Sequence, residues 1–287
     1  MIGRISLAMS LVIAALFAVA FTWPVEQATV TSTYGESRWD HFHDGIDIIS
    51  TDYTIKAAEK GKLLFFWDKS LFPLDNYPGG GNFKVLAHAD GRCTIYMHLE
   101  DGMPFKTAYT AGDPIGRMGN TGHSINRHLH FSILSHKDQL SVNPLSILPK
   151  IEDASPPVIA ELAFRIGDRY TIIRDKANIR LTRHYPLLVK IVDSMRGREN
   201  LGVFRLSVTH NGREVAHEEF GRISFSKGRL TVNGKEFDEL FDPKGYYRVS
   251  GITYVSGDNV FTIQASDFAG NTAEKKYTIT VRLDLAQ

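Results

Sequence analysis

Cysteine is nearly absent: Cys93 stands alone among 287 residues. A single thiol cannot close an internal disulfide, and it cannot build the multi-cysteine cage of a structural metal site. Its place between Arg92 and Thr94 at a strand start reads as an unpaired structural thiol. An excess of one charge is also missing. Lys+Arg number 33 and Asp+Glu 32, leaving a formal net charge of +1. No Lys/Arg stripe interleaved with aromatics breaks that balance, so nothing marks a nucleic-acid partner. There is no His-Glu-x-x-His segment, and hence no glutamate base set between paired helical ligands. The run Gly79-Gly80-Gly81 lacks the Gly-Lys-Ser/Thr ending of a phosphate loop and reads as a turn feeding a strand at Phe83. Helical periodicity is scarce, and no internal repeat or low-complexity tract stands out.

What is present reads as two β-rich units behind a leader. Hydrophobic residues make up 43% of the chain and charged residues 23%, enough apolar content for real cores. Arg4 precedes an apolar run from Ile5 to Ala20, and Ala18-Val19-Ala20 offers a small-x-small cleavage site. Residues 1–20 are therefore expected to be a signal peptide, with an uncleaved membrane anchor as the competing reading. No cysteine near the site suits a lipid anchor. Residues 21–149 read as short strands punctuated by glycine, among them Lys62 to Trp67, Asn82 to His88 and Arg92 to His98. Residues 150–157, ending Ser155-Pro156-Pro157, read as a linker. Residues 158–287 are all-β by pattern. Asn211-Gly212 signals a hairpin between Gly202 and His217. Phe261, Ile263 and Ala265 alternate with polar residues, as do Tyr277, Ile279 and Val281, with a turn at Asp267-Phe268-Ala269-Gly270-Asn271. A linker of this composition marks a boundary that few contacts need cross. A chain ending near Pro149 is then expected to fold alone, with the second unit positioning the protein and taking no part in chemistry.

Two motifs carry chemistry. His43-x-Gly-x-Asp47 puts an imidazole and a carboxylate four positions apart. On a straight strand that spacing is roughly 13 Å, too far for one metal to bond both. A bend at Gly45 closes the gap, and glycine bends at least cost. Downstream, His128, His130 and Ser132 alternate with Leu129, Phe131 and Ile133, as on a half-buried strand. Two histidines and a carboxylate form a known ligand set for catalytic zinc, with the fourth position left to water. Thr94, Tyr96 and His98 alternate in the same way, which assigns His98 to a polar face opposite Ile95, Met97 and Leu99. His41, His88, His123, His136, His184, His210 and His217 read as ordinary exposed or hydrogen-bonded side chains, and Asp44 as a solvated carboxylate or a partner behind the ligands.

The combined motifs resemble those of the lysostaphin/LytM-type zinc metallopeptidases. Trp23-Pro24 with Ser32-x-Tyr34-Gly35 is similar to the start of that domain. Tyr96-Met97-His98-Leu99 and the approach from Gly112 through Asn120 to Thr121-Gly122 are similar to its centre. The resemblance runs from Trp23 to about Pro149. It implies one Zn2+ per chain held by His43, Asp47 and His130, with His98 and His128 as the catalytic pair that does not bind metal. It implies a mainly β fold: an antiparallel-sheet LytM-like peptidase domain, followed by strands that resemble an immunoglobulin-like β-sandwich. The implied function is an exported endopeptidase of the periplasm or cell envelope. Its substrates would be peptidoglycan stem or cross-bridge peptides, and a cell-envelope protein could dock through the second unit. A non-catalytic wall-binding or hydrolase-activator protein, and a carboxypeptidase on the same scaffold, are the alternatives. The segment Asp68 to Gly80 is longer than the usual loop there, and with Trp67, Phe72 and Tyr77 it is expected to wall the substrate groove.

Overall fold

The computed structural model describes residues 21–284, so the expected leader at 1–20 lies outside the described residues. Among the described residues no helix is long and apolar enough to cross a membrane. The first unit is built on an antiparallel sheet whose central strand is Leu129–Ser135. Its alternation explains its place. Leu129, Phe131 and Ile133 are fully buried on the core side, while His130 and Ser132 face the other way. Arg92–Leu99 lies along one edge of this strand, followed outward by Asn82–Ala87 and Gly61–Trp67. Ile46–Ile49 and Leu140–Val142 share the opposite edge. Ile46 faces Phe131, Asp47 faces His130 and Ile48 faces Leu129 across one antiparallel ladder. Opposed residues share a face, so one register sends Ile46, Ile48, Leu129 and Phe131 to the core and Asp47 and His130 to the site. Tyr96 joins that core, where its hydroxyl accepts from the Ala58 N–H.

The linker separates strands in sequence but not in the sheet. Arg222–Ser226, far beyond residue 157, pairs antiparallel with Leu140–Val142, and Arg229–Thr231 pairs beyond it. The Tyr34 hydroxyl donates to the Ser141 carbonyl at 2.7 Å and accepts from the Ile223 N–H at 2.7 Å. The Phe42 ring lies 5.4 Å from Phe237 and 6.1 Å from Phe241. A Cβ on Gly35, where φ is +78°, would meet the Phe220 ring at 2.8 Å. The expectation that few contacts cross the boundary is therefore wrong. Composition reads the linker's local freedom; it cannot read that Tyr34 and Phe42 are covered by residues nearly two hundred positions away.

Of the described strands outside that sheet, Thr54–Lys56 and Pro114–Arg117 pair as a two-stranded sheet, and the rest form two five-stranded sheets whose inward side chains join the same buried cluster. One sheet holds Val158–Ile166 and Leu187–Met195 at its centre. The other runs Asn178–Leu181, Thr272–Leu283, Gly257–Ser266, Arg205–His210 and Arg213–Glu219, with its first pair parallel. The hairpin turn falls where expected, with Asn211 and Gly212 both at positive φ.

Because the aromatic contacts join the units, Phe241→Ala should destabilise the whole chain by about 3–5 kcal/mol. Urea unfolding followed by fluorescence and by circular dichroism should give one shifted transition. Two transitions, with only the later one moved, would show that the units unfold independently.

Candidate metal centre

His43, Asp47 and His130 converge. His43 Nε2 lies 3.2 Å from Asp47 Oδ1 and 3.1 Å from His130 Nδ1, and His130 Nδ1 lies 3.1 Å from Asp47 Oδ1. Bonds of about 2.0–2.1 Å to one tetrahedral ion require neighbouring ligand atoms about 3.3 Å apart. The triangle fits a single zinc-sized ion, and all three residues are buried. The outer nitrogens strengthen the fit. His43 Nδ1–H donates to the Thr33 carbonyl at 2.7 Å. His130 Nε2–H points to Ser132 Oγ at 2.8 Å and Asp44 Oδ1 at 3.3 Å. Each imidazole therefore turns a bare nitrogen inward, as a metal ligand must. Asp44 is thus a hydrogen-bond partner behind His130. Asp47 Oδ2 accepts from the Arg38 guanidinium, which also donates to Ser32. Arg38 was not legible as a site residue, since nothing in its spacing points to Asp47.

Gly45 does more than bend. A Cβ there would meet Ser132 Oγ at 2.5 Å, the Phe131 carbonyl at 2.6 Å and His130 Nε2 at 2.7 Å. Only a residue without a side chain lets the 43–47 segment lie this close to the central strand.

Electrostatics couple the three residues. Burial opposes the Asp47 carboxylate, yet hydrogen bonds and charge from His130 and His43 outweigh it and hold the group well below the usual range. Burial likewise opposes a charged His130, but bonds to Asp44 and Asp47, with their charges, push it up to about 9.

His98 and His128 flank this centre. Their ring centroids are 4.8 Å apart, and His98 lies 6.1 Å from His130. His98 Nδ1–H donates to the Thr121 carbonyl at 2.8 Å and His128 Nδ1–H to the Asn126 carbonyl at 2.7 Å. Both Nε2 atoms are left for the site, with His128 Nε2 3.5 Å from Asp47 Oδ1. Burial pulls His98 down to about 4, and the nearby His128 and His130 act in the same direction. The route of His98 to this face differs from the expected alternation. Tyr96 and Thr94 lie buried on the core side, and Met97, opposite His130, faces the groove. Simple alternation would send His98 to the core with Tyr96. A register shift between Asn82 and Lys84 and a φ of +61° at His98 rotate it back to the site. Such a conformation is costly for a non-glycine residue and persists only where the surrounding structure enforces it.

The groove over these residues has a volume of about 920 Å3. Gly79 and Gly80 line one side, residues 123–128 another, and Arg38, Trp39 and Thr31 a third. The glycine run is a backbone platform: Gly80 O accepts from His98 N–H and Gly79 O from His123 N–H. Trp67, Phe72 and Tyr77 do not wall the groove. Trp67 stacks on Phe72 at 5.9 Å and meets Tyr77 at 5.5 Å, and the Tyr77 hydroxyl donates to Asp101. These aromatics satisfy one another, which no sequence spacing reveals. His41 and His123, read as ordinary side chains, line the groove, as does Arg198 from beyond the linker.

This arrangement defines a candidate divalent-metal centre with a flanking imidazole pair on an antiparallel sheet. Residues 41–144 match the model of Peptidase family M23, and the chain carries an M23 peptidase domain of the LytM type. A second family model matches residues 156–282. The chain is 31% identical over 106 residues to the DD-carboxypeptidase/endopeptidase Mpg of Neisseria meningitidis, which covers 37% of this chain and 22% of that protein. It is 26% identical over 136 residues to the cell division protein DipM of Caulobacter vibrioides, covering 45% and 21%. The chain thus spans about a fifth of the length of the curated relatives it matches. Among solved structures, the catalytic domain of lysostaphin from Staphylococcus simulans is 31% identical, covering 37% of this chain and 80% of that one with a TM-score of 0.32. A zinc-containing peptidase from Vibrio cholerae is 26% identical, covering 43% and 39% with a TM-score of 0.35.

Two outcomes test this geometry. With His130 raised to about 9, a proton competes with metal at every pH below that value. Metal binding at pH 7 should release about one proton, and apparent affinity should fall roughly tenfold per pH unit on acidification. Calorimetry in buffers of different ionisation enthalpy counts the protons, and a count near zero contradicts the assignment. Gly45→Ala should weaken metal binding by about 10–100-fold, the usual effect of displacing the partners behind a ligand; unchanged affinity in a competition titration would contradict the close-approach argument.

Proposed function

We propose that this protein is an exported zinc metalloendopeptidase acting on peptide bonds of bacterial peptidoglycan. His43, Asp47 and His130 hold the metal, and His98 and His128 act on the substrate. The observation that carries this reading is the triangle of inward-facing donor atoms, 3.1–3.2 Å on each side, with two further imidazoles turned toward it. The M23 domain supports the peptidase chemistry, and the names of the matched relatives support the substrate. The groove's open form and its exposed Trp39 suit an extended peptide chain.

Zinc, when bound, supplies a Lewis acid that polarises a carbonyl and makes water easier to deprotonate. The chain's own residues do the rest. Thr33, Ser132 and Asp44 fix the ligand tautomers, and Arg38 holds Asp47 with one oxygen toward the centre. Burial keeps His98 neutral at physiological pH, so its Nε2 enters as a proton acceptor from the attacking water. His128, on the other side of the pair, can donate from Nε2 to the oxygen that gains charge as the carbonyl is attacked once it carries a second proton beside the Nδ1–H held by Asn126.

Residues 21–149 and 158–284 are two units of a folded whole, the second an immunoglobulin-like sandwich that completes the first. A separate family model over residues 156–282 supports that division. A carboxypeptidase on the same scaffold is the second reading, favoured by the double name of the Neisseria relative.

Substitution should separate the roles. His43→Ala, Asp47→Ala and His130→Ala should each lose zinc by elemental analysis. His98→Ala and His128→Ala should keep zinc and lose about 10²–10⁴ in turnover. A zinc-loaded His98→Ala protein cleaving at the wild-type rate would sink the catalytic assignment. Mass spectrometry of digested wall fragments decides between the readings: loss of crosslinks supports the endopeptidase, and release of terminal D-alanine the carboxypeptidase.

A further inference from the structure

A second cluster of acidic groups lies away from the groove. Asp153 belongs to the linker, Asp193 to the strand Leu187–Met195, and Asp267 to the turn between Gly257–Ser266 and Thr272–Leu283. One carboxylate oxygen from each lies within 4.8 Å of the others. We propose that Asp153, Asp193 and Asp267 form a calcium site that fastens the linker to the C-terminal strands.

Asp193 is 2% exposed and Asp267 1%. Neither oxygen of Asp193 has a hydrogen-bond partner among the described residues, and Asp153 Oδ2 is also buried without one. Buried carboxylates are rarely left this way, because each loses its hydration with nothing in return. Three orphaned oxygens converge from segments far apart in sequence. Burial, and then the charges of Asp267 and Asp153, push the Asp193 carboxyl up to about 7, a measure of how poorly the protein alone accommodates three charges here.

The neighbouring groups are already ordered. Asp267 Oδ1 accepts from the N–H groups of Ala269, Gly270 and Asn271. The Asn271 side-chain amide donates to Asp267 Oδ2 and to the Asp153 carbonyl. Asp267 is therefore fixed in place, and the linker is held beside it before any ion arrives. Asp193 supplies both of its oxygens without breaking an existing bond.

The donor set selects the ion. All donors are hard oxygens, with no imidazole or thiolate, which disfavours zinc and copper. Calcium bonds its oxygens at about 2.3–2.6 Å, so ligand atoms around one ion sit up to about 5 Å apart, and three oxygens within 4.8 Å of one another can share it. Magnesium demands tighter octahedral geometry and retains its waters, which three carboxylates, two of them buried, suit less well.

The test uses the full-length, zinc-loaded protein in buffer stripped of calcium by resin. Calorimetry should find one calcium site, and a hundredfold excess over Kd should raise Tm by roughly 5–10 °C. His43→Ala, which disables the other centre, should keep the calcium response. Asp193→Asn and Asp153→Asn should each abolish it. In calcium-free buffer Asp193→Asn should melt no lower than wild type, since it removes one of three repelling charges. No calorimetric heat and no Tm shift up to about 10 mM calcium, beyond the weak end of extracellular sites, would overturn the proposal. So would a shift that survives in both aspartate variants, or an equal shift with magnesium at the same concentrations.

Discussion

The register between Ile46–Ile49 and Leu129–Ser135 is the constraint on which the centre depends. It sets Asp47 opposite His130, and it is held by the apolar residues on either side of that pair. Ile46, Ile48, Leu129 and Phe131 are fully buried, so a slip by one residue would turn four core side chains outward and both Asp47 and His130 inward. The hydrophobic core thereby enforces a polar geometry. His43 is added to the pair from outside the ladder, and the absence of a Cβ at Gly45 lets it return to within 3.2 Å of Asp47.

A second layer fixes protons. Each of the four imidazoles has its outer nitrogen committed: His43 to Thr33, His130 to Ser132 and Asp44, His98 to Thr121, and His128 to Asn126. Three of these partners are backbone carbonyls, so the tautomers depend on loop conformation more than on side-chain identity. That gives the glycines of the neighbouring loop a purpose. A Cβ on Gly122 would meet the Gly81 nitrogen at 2.2 Å, and the contact holds the 120–123 turn where its Thr121 carbonyl reaches His98.

Much of this was legible in the sequence. The period-two pattern around His130 gave the central strand and its faces, and the ordered motifs picked out five residues that the structure brings together. Other features were not legible, for definable reasons. Alternation put Thr94 and Tyr96 on the site face with His98, and Met97 on the core face, because a bulge with a left-handed backbone leaves no mark in hydrophobic periodicity. Arg38 was missed because a guanidinium that steadies a ligand has no characteristic spacing. The aromatic residues near Asp68 suggested a groove wall, but their partners turned out to be one another. The junction between the units was hidden most deeply. A sheet that takes its outer strands from residues 222–231 is a long-range choice, and local composition carries no record of it. The same junction brings Arg198, from the second unit, to the groove.

The central claim is that three residues bind the metal and two adjacent imidazoles do not, although His128 Nε2 lies only 3.5 Å from Asp47 Oδ1. X-ray absorption spectroscopy of the zinc-loaded protein tests it most directly. The account expects four nitrogen or oxygen neighbours at about 2.0–2.1 Å, with multiple-scattering features of two imidazoles and no sulfur. A spectrum requiring three or four imidazoles on the metal, or a sulfur shell near 2.3 Å, would contradict it.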